Sequence, residues 1–221
     1  MFVLCLPSVH SLDINITEME AGGYFRGEYT RASHFLNEIS AIGKIELEEK
    51  YAFKGGFAVG KALTEWSINS FVNSAYSPFE NIPLGVSVSY IYNGLPDYET
   101  HANSIIPFIF YNADRAGISL GCNFRFTRFF GEKAQFESIL SLYGYFNFIN
   151  KEKLLFGIGA GNFYDFYAYN LGAYSLNINT AFRLDSNWRI INDIEFRQSG
   201  GDGLTTTLYG IAFRTGAKYS W

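Results

Sequence analysis

The chain ends with Tyr209-Gly210-Ile211-Ala212-Phe213-Arg214-Thr215-Gly216-Ala217-Lys218-Tyr219-Ser220-Trp221, a stretch in which two kinds of side chain alternate. One set of positions carries Tyr209, Ile211, Phe213, Ala217, Tyr219 and Trp221, and the intervening set carries Gly210, Arg214, Gly216, Lys218 and Ser220. Successive side chains of a β-strand point to opposite faces of the sheet. The stretch therefore predicts a strand with one large apolar face and one small or polar face.

The same alternation recurs in earlier segments, at residues 84–93, 117–127 and 175–184. Their polar faces consist mainly of Gly, Ser, Asn and Thr with an occasional Arg, whereas a strand face in water usually carries many Lys and Glu residues. Large apolar and aromatic residues dominate the other faces. This contrast predicts apolar faces turned toward lipid and small polar faces turned toward a water-filled lumen.

Segments with this pattern follow one another from about Gly22 to Trp221, and each is long enough for a tilted strand that crosses the hydrocarbon of a bilayer. The predicted strands lie at 21–30, 39–48, 53–62, 66–75, 84–93, 99–111, 116–128, 135–149, 154–164, 170–184, 188–198 and 204–221. The fold class is therefore all-β, an antiparallel transmembrane β-barrel of twelve strands with both termini on the periplasmic side. Eight or ten strands are the alternatives, because 53–75 is the least regular stretch.

The composition supports this fold class and excludes others. Hydrophobic residues make up 48% of the 221 residues. The mean hydropathy is only +0.01, and no apolar run is long enough for a membrane-spanning helix. Aromatic residues, at 19%, favour strands and membrane interfaces. A net charge of −4 without a basic cluster argues against binding to nucleic acid.

The last strand of the chain ends on an aromatic residue, Trp221. Trp221 is in phase with Tyr219 and Phe213, and a terminal strand that closes on an aromatic residue resembles the C-terminal signal of bacterial outer-membrane proteins. The resemblance implies an outer-membrane location and recognition of Phe213, Tyr219 and Trp221 by the barrel-assembly machinery. The architecture is similar to that of small monomeric twelve-stranded channels that pass acidic sugars or nucleosides, although no motif specific to those families is present.

The N-terminal segment, residues 1–11, is interpreted as the remnant of a signal peptide. A short apolar stretch precedes Val9 and Ser11, small residues at the −3 and −1 positions of a cleavage site. The mature protein would then be a single barrel domain, residues 12–221. The alternative is a buried N-terminal strand. Cys5 would leave with the signal peptide, and Cys122 would remain alone without a disulfide partner.

No residue pattern predicts catalysis, a metal site or a cofactor. His101 has Ser104 nearby, but a separation of three positions places the two side chains on opposite faces of a strand. His and Cys residues are too few and too isolated for a zinc site. The glycines of residues 157–161 lack the spacing of a dinucleotide-binding loop, and they are interpreted as space for aromatic neighbours inside a barrel.

Charged residues on the predicted inner faces are the candidate functional residues. The candidate pore-lining set comprises Arg125, Arg183, Arg189, Asp193, Glu195, Arg197, Arg214 and Lys218. In one interpretation, opposite charges pair across neighbouring strands and fill a narrow lumen. In the other, unpaired Arg125, Arg183, Arg197, Arg214 and Lys218 bias which solutes pass through a wider lumen. Strand number distinguishes them, because eight strands leave room only for side chains.

Two aromatic clusters, at residues 143–148 and 163–169, are interpreted as girdles at the two membrane interfaces rather than as ligand-stacking sites. The leading functional hypothesis is a passive porin-like channel for small hydrophilic solutes, in contact with outer-membrane lipid. The competing hypothesis is a closed barrel that acts as a structural or surface-interaction protein. A soluble ligand-binding barrel is a third possibility.

Overall fold

The computed structural model describes residues 16–30, 34–62, 65–79, 82–168, 173–200 and 206–221. The predicted signal segment, residues 1–11, lies outside this described part of the chain. Cleavage of that segment and the domain boundary at residue 12 therefore stay predictions.

Twelve antiparallel strands close into one barrel. They are β1 (Ile16–Thr30), β2 (His34–Leu47), β3 (Tyr51–Ala62), β4 (Glu65–Tyr76), β5 (Leu84–Leu95), β6 (Thr100–Asn112), β7 (Ala116–Arg128), β8 (Gln135–Lys151), β9 (Leu154–Gly161), β12 (Ala173–Arg183), β13 (Trp188–Gly200) and β14 (Thr206–Ser220). Two short strands, β10 (Phe163–Tyr164) and β11 (Tyr167–Ala168), form a separate hairpin between β9 and β12. Each barrel strand pairs with its neighbours along the chain, and β1 pairs with β14 to close the ring.

The predicted fold class and strand number are confirmed, including the irregular stretch 53–75, which forms β3 and β4. The bounds shift by a few residues, and β9 ends at Gly161 rather than at residue 164. The first described residue and Trp221 lie at the same end of the barrel, because Glu20 is in register with Ser220. We call this the turn end, and the opposite end the loop end.

The helical content is small. A short 3-10 helix, Pro96–Tyr98, follows β5 at the loop end. Within the described ranges, no helix combines the length and the apolar character needed to cross a bilayer.

The two faces of the sheet differ as the sequence predicts. Phe213 is 44% exposed on the outside, whereas the neighbouring Ala212 is 2% exposed inside. Val86 and Val88 likewise lie outside, and Ser87 between them is buried. Across the registers, the inner face receives the alternate residues that are small, polar or charged. The outer surface is thus an apolar band of the kind that lipid solvates.

Aromatic rings gather on the outer face at the turn end. The ring centroid of Tyr219 lies 5.0 Å from that of Trp188 and 4.8 Å from that of Trp221. Tyr51 and Tyr76 stack at 4.9 Å on two other neighbouring strands at this end. Such rings suit the interface between hydrocarbon and headgroups, where an apolar body and a polar tip are both solvated.

The orientation of β14 can be tested by placing a charge on its outer face. The substitution Phe213→Arg puts a guanidinium in the middle of the apolar band, and we expect it to lower the free energy of unfolding by about 2–4 kcal/mol. Reversible urea titration of the barrel in lipid vesicles measures this change. Phe130→Arg is the matched control, because Phe130 lies in the β7–β8 connection and is already 70% exposed. Equal losses in the two variants would contradict the orientation.

Candidate functional site

The lumen has a charged side formed by β13, β14 and β1. Arg26 on β1 lies 2.6 Å from Glu195 and 2.9 Å from Glu28, and all three side chains are almost fully buried. Arg197 contacts both Glu28 and Glu195. The result is a closed ion-pair network on the inner wall, and the strand registers place it toward the loop end of these strands.

The opposite side of the lumen carries apolar side chains together with uncharged polar ones such as Ser87, Ser89 and Ser104. Phe71, Ile91 and Ile106 come from the adjacent strands β4, β5 and β6, and each is at most 3% exposed. The inner faces of β5 and β6 carry no charged side chain. In the ring order, β5 and β6 stand across from β13 and β14. The barrel interior is therefore divided into an ionic wall and an uncharged wall, which we call the apolar wall for its buried Phe and Ile side chains.

A hairpin from the β9–β12 connection lies inside the barrel and spans the two walls. We call residues 163–168 the inward hairpin. Its two-residue turn is Asp165-Phe166, and Asp165 adopts a positive φ of 33°, a conformation that Asp tolerates better than most residues. The Asp165 carboxylate lies 2.5 Å from the Lys54 ammonium and 3.4 Å from the Arg214 guanidinium. The hairpin tip is thus bound by cations on both sides.

Phe166 anchors the hairpin in the apolar wall. The ring is 2% exposed and meets Phe71 edge to face, with centroids 4.8 Å apart. The Asn93 amide donates a hydrogen bond of 2.8 Å to the Phe166 carbonyl. Gly56 provides the space, because a Cβ there would lie 2.9 Å from the Phe166 ring. The sequence of β3 is therefore adapted to accept this ring.

The electrostatics of the tip favour a charged carboxylate. Burial raises the pKa of the Asp165 carboxyl, but the nearby charges of Lys54 and Arg214 outweigh burial and hold that pKa below its usual range. Asp165 belongs to the connection and not to a membrane-spanning strand. It therefore keeps its negative charge at neutral pH, and both ion pairs stay formed.

The inward hairpin divides the space inside the barrel. A cavity of about 20 Å³ lies beside Asp165 and Phe166, enough for about one water molecule. A second cavity of about 230 Å³ extends toward the turn end. Four residues line both cavities: Asp165, Asn179, Asp193 and Arg214. The four residues therefore lie at the boundary between the two cavities.

The candidate pore-lining residues lie on the inner face, as their registers require. Arg214 binds Asp193 at 2.5 Å, and Lys218 binds Glu20 at 2.5 Å. Arg125 and Arg183 lie farther from carboxylates, at 3.7 Å from Glu137 and 3.8 Å from Glu152 respectively. The five cations that one of the two interpretations treats as unpaired therefore all have a carboxylate within 4 Å; they are Arg125, Arg183, Arg197, Arg214 and Lys218. Arg189 is in register with Arg183 and Lys218.

The girdle interpretation is wrong for part of the aromatic clusters. Phe163 and Phe166 are buried within the barrel core instead of facing a membrane interface. In the other cluster, Phe146 and Phe148 lie outside, whereas the Tyr143 ring packs against Phe163 inside. The cause is the hairpin turn at Asp165, which redirects the chain inward and which no strand alternation encodes.

The glycine run of β9 has the predicted role. A Cβ on Gly159 would lie 2.6 Å from the Tyr143 hydroxyl, so glycine lets this ring lie across the strand. His101 and Ser104 lie on opposite faces of β6, as their separation predicts. Ser104 is buried inside, while His101 stacks on Tyr92 on the outer face. The described side chains include no cluster of three or more His, Cys, Asp or Glu residues suited to a metal ion.

Sequence reasoning missed Lys54, Asp165 and Phe166 as a joint site. The signal that could have revealed it is the run of aromatic residues around Asp165, which is too apolar for a loop exposed to water. A buried location in the lumen satisfies the rings of Phe163 and Phe166, and the Asp165 carboxylate between them pairs with cations of the lumen.

A closed antiparallel barrel with an apolar exterior and a polar lumen defines the class of transmembrane β-barrels. No family model and no curated protein sequence matches the chain. Among solved structures, the KdgM porin in complex with disordered oligogalacturonate matches with a TM-score of 0.58 and 11% identity, over 90% of this chain and 99% of that one. The NanC porin matches with a TM-score of 0.58 and 10% identity, over 89% and 98%. An outer-membrane channel from Pseudomonas putida F1 matches with 0.53 and 9%, over 97% and 98%. This chain therefore has the fold of small outer-membrane porins.

The anchoring of the inward hairpin can be tested at Phe166. Loss of a buried phenylalanine side chain costs about 3–5 kcal/mol. We expect Phe166→Ala to lower the free energy of local opening of the hairpin, and not that of unfolding of the barrel. Hydrogen exchange measured by mass spectrometry should then accelerate about 100-fold or more at residues 163–168, with the barrel strands unchanged. Phe130→Ala, at an exposed connection, should leave the exchange of the hairpin unchanged. Unaltered exchange in Phe166→Ala would mean that the ring does not hold the hairpin.

Proposed function

We propose that this protein is an outer-membrane channel through which small hydrophilic solutes diffuse, with the inward hairpin as its constriction. The observation that carries the proposal is the lumen itself. It is enclosed by twelve strands, and one whole side of it consists of hydrogen-bonding and charged groups. A barrel whose only task is to be stable can fill such a space with apolar side chains.

Barrel size supports the proposal. Eight strands enclose little more than their own side chains, whereas larger barrels hold ligands or channels. Here the twelve strands leave room for a hairpin and for a cavity of about 230 Å³ beside it. Solutes would pass along the ionic wall beside the inward hairpin.

The structural neighbours support a channel and suggest a class of solute. They include porins, and one of these, KdgM, is described in complex with oligogalacturonate. In the present chain the cations at the constriction are balanced by carboxylates, as in the Arg214–Asp193 pair. We therefore propose weak charge selection at the constriction and passage of small hydrophilic solutes rather than of one acidic polymer.

The proposed location is the outer membrane, with lipid as the surrounding partner. The exposed apolar band and the aromatic rings at the turn end support this location. Recognition of Phe213, Tyr219 and Trp221 during assembly remains a prediction. We propose a channel rather than an enzyme, in line with the porin and channel structures that share this fold.

One observation favours a second candidate function, a closed structural barrel. The Phe166 ring is 2% exposed, and the cavity next to it holds about one water molecule. A hairpin fixed in this position would block passage, and the surface connections would then carry the function. The channel and the closed barrel predict different ion conductance across a membrane.

Conductance across planar lipid bilayers decides between them. We expect the purified, folded protein to insert and give discrete current steps. Heat-modifiable mobility on gels establishes that the barrel is folded before the measurement. A folded and inserted protein that gives no steps would remove the channel proposal and retain the closed barrel.

A charge substitution at the constriction sharpens this test. Asp165→Asn removes the ion pairs of the hairpin with Lys54 and Arg214 and leaves both cations without that carboxylate. We expect larger current steps and a shift of selectivity toward anions, measured as a reversal potential in a salt gradient. Asp185→Asn is the control, because Asp185 lies in the exposed β12–β13 turn, where it accepts backbone hydrogen bonds. Identical steps and potentials in both variants would exclude the hairpin as the constriction.

A further inference from the structure

Three cations stand side by side on the inner face at the turn end. Arg183 on β12 is in direct register with Arg189 on β13, and Arg189 is in register with Lys218 on β14. Side chains directly opposite one another on neighbouring strands are close together, and like charges there are destabilising. Like charges are also in register elsewhere on the inner face, as in Arg26 with Arg214 and Lys44 with Lys54, but each of those four cations has a carboxylate within 2.6 Å.

The charges of Arg183 and Arg189 are poorly compensated within the protein. Arg189 has no ion pair or side-chain hydrogen bond among the residues that the structure describes. Arg183 has only Glu152, at 3.8 Å, and the Glu152 side chain is 82% exposed to solvent. The Nε atom of Arg183 is buried and has no hydrogen-bond partner. Lys218, by contrast, binds Glu20 at 2.5 Å.

A cavity of about 220 Å³ lies between these groups. Arg183 and Arg189 line one side, and Lys151 and Lys153 of the β8–β9 turn line another, with Glu152 as the one acidic residue in the lining. The volume greatly exceeds the 10–15 Å³ that about one water molecule requires. The cavity can therefore hold a small anion together with water. We call this the turn-end basic cavity.

We propose that the turn-end basic cavity binds an oxyanion, the phosphate or carboxylate group of a small solute. Guanidinium groups match such oxygens in geometry and can bind two of them at once. An oxyanion between Arg183 and Arg189 would offset the repulsion between their charges. The lysines of the turn would add long-range attraction at the entrance.

The site deepens the proposed function, and its role in transport rests on that function. An anion site at one mouth of the lumen would raise the local concentration of anionic solutes before the balanced constriction. Binding itself does not require an open lumen. The two proposals can therefore fail separately.

Isothermal titration calorimetry on the folded barrel in a zwitterionic detergent tests the site. The probes are inorganic phosphate and succinate, added at constant ionic strength with chloride as the competing anion. We expect saturable binding of at least one probe to the unaltered protein. Binding of phosphate alone, or of succinate alone, supports the site and identifies the preferred group.

Arg189→Gln is the variant that addresses the site. It removes the uncompensated charge and the repulsion with Arg183, so the barrel should fold at least as well, which heat-modifiable mobility checks. We expect binding to weaken about tenfold or more, as for the loss of a charge-assisted hydrogen bond. Arg125→Gln removes the same charge from an inward arginine at the loop end and should leave the affinity unchanged.

The outcomes separate the site from the channel. No saturable binding of either probe, or equal affinities in the unaltered protein and in Arg189→Gln, would overturn the site. A protein that conducts without binding the probes leaves the channel proposal intact. A protein that binds them without conducting retains the site and loses the channel.

Discussion

The whole structure depends on the pairing of β1 with β14. Inside a bilayer no water is available for backbone N–H and C=O groups, so a sheet can cross only if it has no free edge. The register from Glu20↔Ser220 to Thr30↔Gly210 joins the first described strand to the last and provides this closure. The strands between them need no disulfide for their stability, since each is held along its length by two neighbours.

Closure has a direct effect on side chains. A ring of strands has one outer and one inner surface. Alternate side chains along a strand therefore face the lipid and the lumen in turn. A ring of twelve also encloses more space than the inward side chains fill. In this protein the inward hairpin takes up part of that space. The Asp165 carboxylate contacts cations of the lumen, and the Phe166 ring packs against the apolar wall.

The sequence was sufficient to predict the barrel because alternation is a local property with a single consequence. Each strand segment, from 21–30 to 204–221, could be recognised alone, and the inward position of Arg214 or Lys218 followed from parity. The inward hairpin could not be predicted in this way. Its position depends on contacts between Asp165 and residues of β3 and β14, which are far apart in the chain and meet only after closure.

The sequence likewise predicts which charged residues face the lumen but not which of them form ion pairs. Parity correctly placed the cations inside, but whether each has a partner depends on the register between strands. The Arg26–Glu195 pair joins residues from opposite ends of the chain, across the closing β14 strand, and no spacing within a segment reveals it. The Arg183–Arg189 juxtaposition likewise depends on the register of β12 with β13.

The division of the lumen into an ionic wall and an apolar wall has a consequence for any molecule inside it. Paired charges on β13, β14 and β1 face strands without charged inner side chains across the barrel, so the local electric field is stronger on one side of the lumen than on the other. Water dipoles and amphipathic molecules in such a field turn to a fixed orientation. Two molecules of equal size and equal net charge would then pass at different rates. The faster one would carry its polar groups on one edge and its apolar groups on the other.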